Sequence, residues 1–143
     1  MQDSINVVNV MLDDGAKMPT RAHDLDAGYD IYARDSMVIP AYGSAVFDTG
    51  VHIQLPPQTV GFLKSKSGLN VLHGLTGEGV IDAGYTGSIR VKLYNNSDTL
   101  YVVNSGDKIS QIVILPILTP TLKLATNLDA TERGNNGFGS SGK

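Results

Sequence analysis

The stretch GVIDAGYTGSIRVKLY, residues 79–94, decides the fold class of this chain. Its second half alternates, with Ile89, Val91 and Leu93 on one face and two basic residues on the other, which predicts a half-buried strand. Its first half is a short apolar run that ends at Asp82 and leads into a loop with two glycines. The stretch therefore predicts a β-hairpin with a carboxylate at its shoulder.

Short runs of the same kind recur along the chain and indicate further strands. Residues 51–55 alternate and stop at two prolines, residues 59–63 form another run, and residues 109–115 are more continuously apolar, as in a strand buried on both sides. Helical periodicity is rare, and residues 67–74 form the one predicted helix, with its serine as a cap and its glycine as the end. These patterns predict an all-β barrel or sandwich with one short helix.

Composition excludes several classes of function. The chain has 143 residues, which suits one domain, and its formal net charge of −3 argues against a general nucleic-acid binder. With no cysteine it has no disulfide, thiolate zinc site or cysteine nucleophile, and its three histidines lack metal-ligand spacing. It shows neither an apolar run of membrane-spanning length nor the pattern of a signal peptide. We therefore expect a soluble cytoplasmic protein that binds neither membranes nor nucleic acid.

The last eleven residues differ sharply from the rest of the chain. Residues 133–143 read RGNNGFGSSGK and predict a flexible tail that follows a single β domain over residues 1–132. The tail is either a disordered terminus or a segment ordered by its ligand. In the second case Arg133 and the serines suit phosphate oxygens, and Phe138 suits the face of a nucleobase.

Two other stretches combine residues that can carry chemistry. Asp82 is either a turn aspartate that bonds its own backbone or a general base beside a strand edge. Residues 64–69, KSKSGL, form either a helix cap with solvated lysines or an anion site.

Polar residues also interrupt two predicted strands. Gln111 ends the stretch GDKISQ, residues 106–111, and lies inside the apolar run of residues 109–115. Asp30 lies in AGYDIYA, residues 27–33, where core packing accounts for the apolar residues and leaves the aspartate unexplained.

Five of these stretches, taken in order, resemble the five motifs of the homotrimeric dUTPase (dUTP diphosphatase) family. The stretches are residues 27–33, 66–69, 79–87, 106–111 and 133–142. The resemblance implies a distorted jelly-roll or β-barrel subunit, three of which form active sites at their interfaces. It also implies Mg²⁺-dependent hydrolysis of dUTP to dUMP and diphosphate, which keeps uracil out of DNA and supplies dUMP for thymidylate synthesis.

The resemblance implies roles for residues of the third motif. Asp82 would bind the 3′-hydroxyl and orient or deprotonate the water that attacks the α-phosphorus. Tyr85 would lie against the deoxyribose and exclude a 2′-hydroxyl. The backbone of Val80, Ile81 and Asp82, together with that of Arg90, would read the uracil edge.

The other motifs are implied to bind the phosphates. The body residues are Gln111 and, from a neighbouring subunit, Lys66, Ser67 and Gly68. The tail residues that would close over the γ-phosphate and the uracil are Arg133, Phe138, Gly139, Ser140 and Ser141. Mg²⁺ would be held by the substrate phosphates without a direct protein ligand, and Asp30 would take part through water.

The sequence departs from the family pattern at two positions. Lys66 stands where arginine is common, which keeps the charge but loses the planar two-pronged donor. Thr76 stands where many relatives have asparagine, so uracil recognition would rest more fully on the backbone.

Two alternatives to this enzyme follow from the same fold. A dCTP deaminase would need a glutamate at the pyrimidine C4, and neither Glu78 nor Glu132 fits that pattern. A non-catalytic module that binds a regulatory protein would keep the fold but lose the base or the tail, whereas Asp82, Tyr85 and Phe138 are all present. A regulatory protein partner in addition to catalysis is left open by the sequence.

Overall fold

The computed structural model describes residues 7–142, which form eleven strands and one helix. The strands are β1 (Asn9–Leu12), β2 (Gly28–Tyr32), β3 (Met37–Ile39), β4 (Ser44–Asp48), β5 (Val51–Gln54), β6 (Thr59–Lys64), β7 (Leu75–Thr76), β8 (Gly79–Asp82), β9 (Arg90–Asn95), β10 (Tyr101–Val103) and β11 (Lys108–Pro116). The helix, α1, is Ser67–His73 and lies between β6 and β7.

The strands form four antiparallel sheets around one core. The largest has the order β2-β11-β6-β8, a second has the order β4-β9-β7, and two strand pairs, β1-β5 and β3-β10, complete the body. Side chains from both larger sheets meet in the core, and the largest fully buried apolar ones are Phe47, Ile31, Ile39, Leu75, Ile89, Leu93, Ile109 and Ile112. The predicted all-β fold with one short helix is therefore confirmed.

The predicted strands are found, with small shifts at their ends. In the decisive stretch the strand starts at Arg90, and Ile89, Val91 and Leu93 face the core with 0%, 3% and 2% exposure. β11 pairs with β2 on one edge and with β6 on the other, as expected for an interior strand. Its second half, residues 113–115, is only half-buried in one copy of the chain, so burial on both faces holds for the first half alone.

The predicted hairpin of residues 79–94 is wrong in its pairing. β8 pairs with β6, with Asp82 opposite Val60, whereas β9 pairs with β4 and β7. The loop between them leads from one large sheet to the other. Ile81 before the loop and Ile89 after it are both buried in the shared core. β8 is consequently an edge strand, and no strand of the described residues pairs with its outer side.

The helix is found where it is predicted, but its cap differs. The N-cap is Lys66, which is extended with φ −82° and ψ 129° and has no capping side chain. Ser67 is already the first helical residue, so its hydroxyl is not in the N-cap position. At the other end Gly74 adopts φ 68°, a left-handed conformation that glycine takes without steric cost, and its N–H reaches the Asn70 carbonyl at 3.0 Å.

The chain leaves the body at the end of β11. Residues 116–142 are exposed, and the Ile117 N–H donates to the Gln58 carbonyl at 2.9 Å close to this exit. The exposed segment carries several leucines, namely Leu118, Leu122, Leu124 and Leu128. Within residues 7–142, no helix has the length and apolar character that crossing a membrane requires.

The alternation of β9 leads to a prediction about stability. Leu93→Ala is expected to lower the free energy of unfolding by about 2–5 kcal/mol, because it removes a buried side chain from a packed core. Lys92→Ala, on the opposite, exposed face of the strand, should change it by less than about 0.5 kcal/mol. Denaturant unfolding of both variants at one protein concentration measures the difference, and equal effects would contradict the assigned faces.

Candidate active site

The loop between β8 and β9 holds the proposed base and tyrosine close together. Asp82 ends β8 and is exposed, and its carbonyl accepts a hydrogen bond of 3.0 Å from the Tyr85 N–H, which closes a tight turn. The Tyr85 hydroxyl donates to the Ser88 carbonyl at 2.7 Å, so the ring folds back over its own loop. A Cβ atom at Gly87 would lie 2.6 Å from that hydroxyl oxygen, so the folded ring requires glycine there.

The residues expected to read a base lie beside this loop. Val80 and Asp82 are exposed on the edge strand, while the Ile81 side chain is buried, so at position 81 the backbone is the part near the surface. Arg90 begins β9, with an exposed side chain, opposite Asp48 of β4. The outer side of β8 thus offers backbone donors and acceptors that a flat ligand can pair with.

A second cluster, which we call the lysine cluster, consists of Asp30, Lys66 and Lys108. The Lys66 ammonium lies 2.6 Å from Oδ1 of Asp30, and the Lys108 ammonium lies 3.3 Å from Oδ2. Burial of Asp30 would raise its pKa, but the hydrogen bonds and charges of the two lysines outweigh burial and lower it below the ordinary value. An ammonium has three N–H donors, so Lys66 can bind Asp30 and still donate to a phosphate.

Gln111 lies beside the lysine cluster. In the sheet it pairs with Asp30 of β2 and with Lys64 of β6, and its side-chain amide donates to the Ser65 carbonyl at 3.0 Å. A Cβ atom at Gly28 would collide with the Gln111 side chain, so the glycine of the first motif leaves room for it. Ser67 and Gly68 follow on the exposed first turn of α1, and a Cβ atom at Gly68 would meet open space.

The lysine cluster and Asp82 are far apart in one copy of the chain. Asp82 pairs with Val60 of β6, and Gln111 pairs with Lys64 four residues further along the same strand. At about 3.3 Å per residue and 4.8 Å per strand, Asp82 and Gln111 are separated by about 16 Å. The predicted site residues in the body of the protein therefore form two groups rather than one.

The predicted tail residues form a third group. Arg133 donates from Nε to the Asn136 carbonyl at 2.8 Å, and the Ser140 N–H reaches the Gly137 carbonyl at 3.1 Å. Phe138 is fully exposed, and the hydrogen bonds found for residues 131–142 join residues of that same segment. Gly139 and Ser141 lie in the same exposed stretch.

The acidic side chains of the described residues bear on how Mg²⁺ could bind. Within residues 7–142, no three histidine, aspartate or glutamate side chains come together as a metal site. Both carboxylate oxygens of Asp30 face ammonium groups. Because Mg²⁺ usually keeps several waters and binds through one or two carboxylates plus phosphates, this donor set fits an ion carried by a triphosphate.

Sequence reasoning missed two residues that shape these groups. Lys108 lies within the stretch 106–111, but its contact with Asp30 is set by the pairing of β11 with β2, which the sequence does not show. His52 contacts the loop of Tyr85 through the Thr86 carbonyl, at 2.7 Å from Nδ1. Nothing in the spacing of positions 52 and 86 indicates this contact, because it depends on the pairing of distant strands. At Thr76, where many relatives have asparagine, the side-chain hydroxyl accepts a hydrogen bond of 3.3 Å from the Asn96 amide.

The fold and the three groups define a class of protein. It is a β-sheet protein with an exposed aspartate on the edge strand β8 and a cationic cluster beside β2 and β11, toward the opposite edge of the same sheet. Comparison with known proteins is consistent with that class and narrows it. The family model described as dUTPase matches residues 14–142. The chain therefore belongs to the dUTPase family, which confirms the resemblance drawn from the five motifs.

Individual relatives cover nearly the whole chain. A deoxyuridine 5′-triphosphate nucleotidohydrolase of Debaryomyces hansenii is 44% identical over 133 residues, which are 91% of this chain and 83% of that protein. The solved structure of the Staphylococcus bacteriophage 80alpha dUTPase with dUpNHpp is 34% identical, has a TM-score of 0.91 and covers 97% of this chain and 100% of its own. A mutant dUTPase from phage phi11 of S. aureus, described with a structural Mg(II) ion, is 33% identical, has a TM-score of 0.80 and covers 85% and 98%.

The lysine cluster leads to a prediction about stability and pH. Asp30→Asn is expected to lower the free energy of unfolding at pH 7 by about 1–3 kcal/mol, because the two lysines lose a charged partner. The lowered pKa of Asp30 means that the carboxylate stabilises the fold above its unfolded pKa and stops doing so as the pH falls through its folded pKa. Denaturant unfolding of both proteins from pH 7 down to about pH 3 measures this, and the difference should shrink below about pH 4.

Asp35→Asn is the matched control. The Asp35 side chain is 73% exposed and pairs with Arg34 only at 3.8 Å, so its loss should cost less than about 0.5 kcal/mol. A pH-independent difference between Asp30→Asn and the unaltered protein would contradict the assigned ion pairs.

Proposed function

We propose that this protein is a dUTP diphosphatase that hydrolyses dUTP to dUMP and diphosphate by attack of water on the α-phosphorus. The observation that carries this proposal is the β8–β9 loop, in which an exposed Asp82 adjoins a Tyr85 ring held against its own backbone. A carboxylate beside a flat ring suits a sugar and a nearby reacting phosphorus. The family relationship supports the same activity.

Asp82 acts as the general base in this proposal. Its carboxylate orients the water and accepts its proton while the oxygen attacks the α-phosphorus, and it also binds the 3′-hydroxyl. The bond between the α-phosphorus and the bridging oxygen breaks, and diphosphate leaves. Positioning of the water and of the phosphorus supplies most of the rate enhancement expected for such a reaction.

Selectivity for dUTP comes from the loop and from the strand edge beside it. The Tyr85 ring lies against the deoxyribose and leaves no room for a 2′-hydroxyl. The free edge of β8, from Val80 to Asp82, together with the backbone of Arg90, pairs with the acceptor–donor–acceptor edge of uracil. Cytosine would leave these backbone groups mispaired, which penalises it more than a missing methylene would.

The phosphate chain is held by the lysine cluster and the tail. Lys66, with Ser67, Gly68 and Gln111 nearby, supplies donors from the body. Arg133, Ser140 and Ser141 hold the γ-phosphate, and Phe138, next to Gly139, covers the uracil. Bound to the phosphates, Mg²⁺ would neutralise their charge, and Asp30 would meet it only through water.

The separation of the groups supports active sites shared between copies of the chain. A base that works through one water lies within a few ångströms of the reacting phosphorus, yet Gln111 of the same copy lies about 16 Å from Asp82 along the sheet. In this proposal the lysine cluster of each site comes from a neighbouring copy. The tail, whose hydrogen bonds join residues of the segment 131–142, closes over the site of another copy, as in a homotrimer with three shared sites. The exposed tail, with Phe138 free of the body, fits the same arrangement. The expected cytoplasmic location stays a prediction.

A substrate panel tests the activity. Incubation with each deoxynucleoside triphosphate and with UTP, in the presence of Mg²⁺, should release diphosphate from dUTP and little from dTTP, dCTP or UTP. Product analysis by ion-exchange chromatography distinguishes dUMP from dUDP, and thereby attack at the α-phosphorus from attack further along the chain. Ammonia release from dCTP would identify a deaminase and refute the proposal.

Asp82→Asn is the informative variant in this panel. It keeps the size of the side chain but cannot accept the proton, so kcat for dUTP should fall by about 100-fold or more while nucleotide binding persists. An unchanged kcat would remove Asp82 from the role of base.

A complementation experiment tests whether sites are shared. Asp82→Asn and a chain that lacks residues 133–143 should each be nearly inactive alone. When the two chains are refolded together, mixed assemblies contain sites with an intact Asp82 from one chain and an intact tail from the other, so activity should return to a measurable fraction of the original. If each site came from a single copy, the mixture would stay as inactive as its components. Sedimentation of the unaltered protein measures the assembly separately, and one chain rather than three would contradict the homotrimer.

A further inference from the structure

The side chain of His52, on β5, contacts the middle of the loop between β8 and β9, which we call the Tyr85 loop (residues 83–89). It is partly buried, with 19% of its side chain exposed. Its Nδ1 atom lies 2.7 Å from the carbonyl oxygen of Thr86, the residue directly after Tyr85. Its Nε2 atom lies 3.0 Å from Oδ2 of Asp13, at the end of β1. The ring thus joins the loop to a carboxylate on a different part of the body.

Both partners of the imidazole can only accept hydrogen bonds. A backbone carbonyl and an ionised carboxylate have no proton to give, and a neutral imidazole carries a single N–H. Only the imidazolium form donates to Thr86 and to Asp13 at once. The hydrogen bond to Asp13 and, next, that to the Thr86 carbonyl accordingly raise the pKa of His52, while burial opposes the shift.

The charges that face His52 are balanced when it is protonated. Asp13 follows β1 and Asp48 ends β4, and both carboxylates act on the imidazole. Arg34, from the segment between β2 and β3, lies 3.9 Å from Asp13 and 3.8 Å from Asp48, and it also approaches Asp35 at 3.8 Å. Arg90 also acts on Asp48. The three cations then match the carboxylates of Asp13, Asp35 and Asp48, and loss of the His52 proton leaves that set one positive charge short.

The other anchors of the loop lie nearer to β9. Ser88 donates its hydroxyl proton to Asp48, and the Ile89 N–H bonds the Val51 carbonyl at 2.8 Å. The Tyr85 hydroxyl is bonded to the Ser88 carbonyl inside the loop, so the ring moves with the backbone of residues 85–88. On the β8 side, the Tyr85 N–H bonds the Asp82 carbonyl at 3.0 Å. His52 holds Thr86, which lies between these two sets of anchors and directly after the tyrosine.

We propose that protonated His52 is a positioning residue, which clamps the Thr86 carbonyl to Asp13 and so holds Tyr85 in place for the deoxyribose of dUTP. This proposal rests on the role given to Tyr85 in the proposed function. The clamp acts on binding rather than on the proton transfer, because Asp82 belongs to β8 and is held by its pairing with β6. A change in KM with little change in kcat is the consequence.

The direction of the pH effect follows from the charge of the imidazole. Below its pKa His52 holds both partners, and as the pH rises through that pKa one of the two contacts is lost. A raised pKa in the folded protein also means that His52 stabilises the fold at low pH and ceases to do so as the pH rises through the folded-state value. KM for dUTP should therefore increase over the same pH range.

Steady-state kinetics of His52→Gln tests the clamp. Glutamine is uncharged and can donate to one partner while it offers its carbonyl to the other, so Asp13 is left facing an acceptor or Thr86 is released. We expect KM for dUTP to rise about 5-fold at pH 6, with kcat within about 2-fold, and the two proteins to converge above the His52 pKa. His23→Gln, at an exposed position away from the loop, is the matched control and should follow the unaltered protein.

Proton NMR of the three histidines gives an independent measure. The resonance that disappears in His52→Gln belongs to His52, and its titration midpoint should lie above the ordinary value of a histidine side chain. Asp13→Asn, a second variant that keeps the imidazole, should lower this midpoint and move the rise in KM to lower pH by the same amount.

The outcomes separate this proposal from the proposed function. If the unaltered protein hydrolyses dUTP and His52→Gln keeps its KM and pH profile, the clamp is wrong and the function stands. The clamp is equally wrong if the KM profile does not move when Asp13→Asn shifts the titration of His52. Failure of the unaltered protein to hydrolyse dUTP would overturn both.

Discussion

The antiparallel pairing of β6 on both of its edges sets the geometry on which the rest of the protein depends. β11 bonds to one edge and β8 to the other, so the positions of Gln111 and Asp82 are measured along the same strand. Because the pairing of a strand that faces a core cannot slip by one residue without turning its side chains outward, this separation is rigid. An active site that used both residues of one copy would have to span this distance.

The positive charge of this acidic protein is concentrated at the lysine cluster, which lies away from Asp82. The protein is acidic overall, with a formal net charge of −3, yet Lys66 and Lys108 stand side by side. A nearly buried Asp30 holds the two ammonium groups at one place, which like charges would otherwise leave. A local cation pair of this kind can face a small polyanion even though the chain as a whole is acidic.

The Tyr85 loop shows how a functional segment is supported from outside. It connects two different sheets, and its conformation depends on contacts to β4, β5 and the end of β1 rather than on a hairpin ladder. A loop of this kind can be adjusted by the groups that anchor it, since a change at His52 or Asp48 reaches the tyrosine without touching the substrate. Support by titratable side chains ties the position of the ring to pH, which a support made of backbone hydrogen bonds would not do.

The amino-acid sequence by itself determined the fold class, the positions of most strands and the helix, and the family. Alternation at Ile89, Val91 and Leu93 and the order of five motifs are local patterns, and local patterns can be read without knowing which strands pair. Only the tertiary structure decided that β8 and β9 lie in different sheets and that Lys66 occupies the N-cap position of α1. It also decided that Lys108 and Lys66 share Asp30 and that His52 contacts the Thr86 carbonyl. Each of these features joins residues that are distant in sequence or depends on a backbone angle. The side chains of one strand do not indicate which other strand it pairs with or packs against.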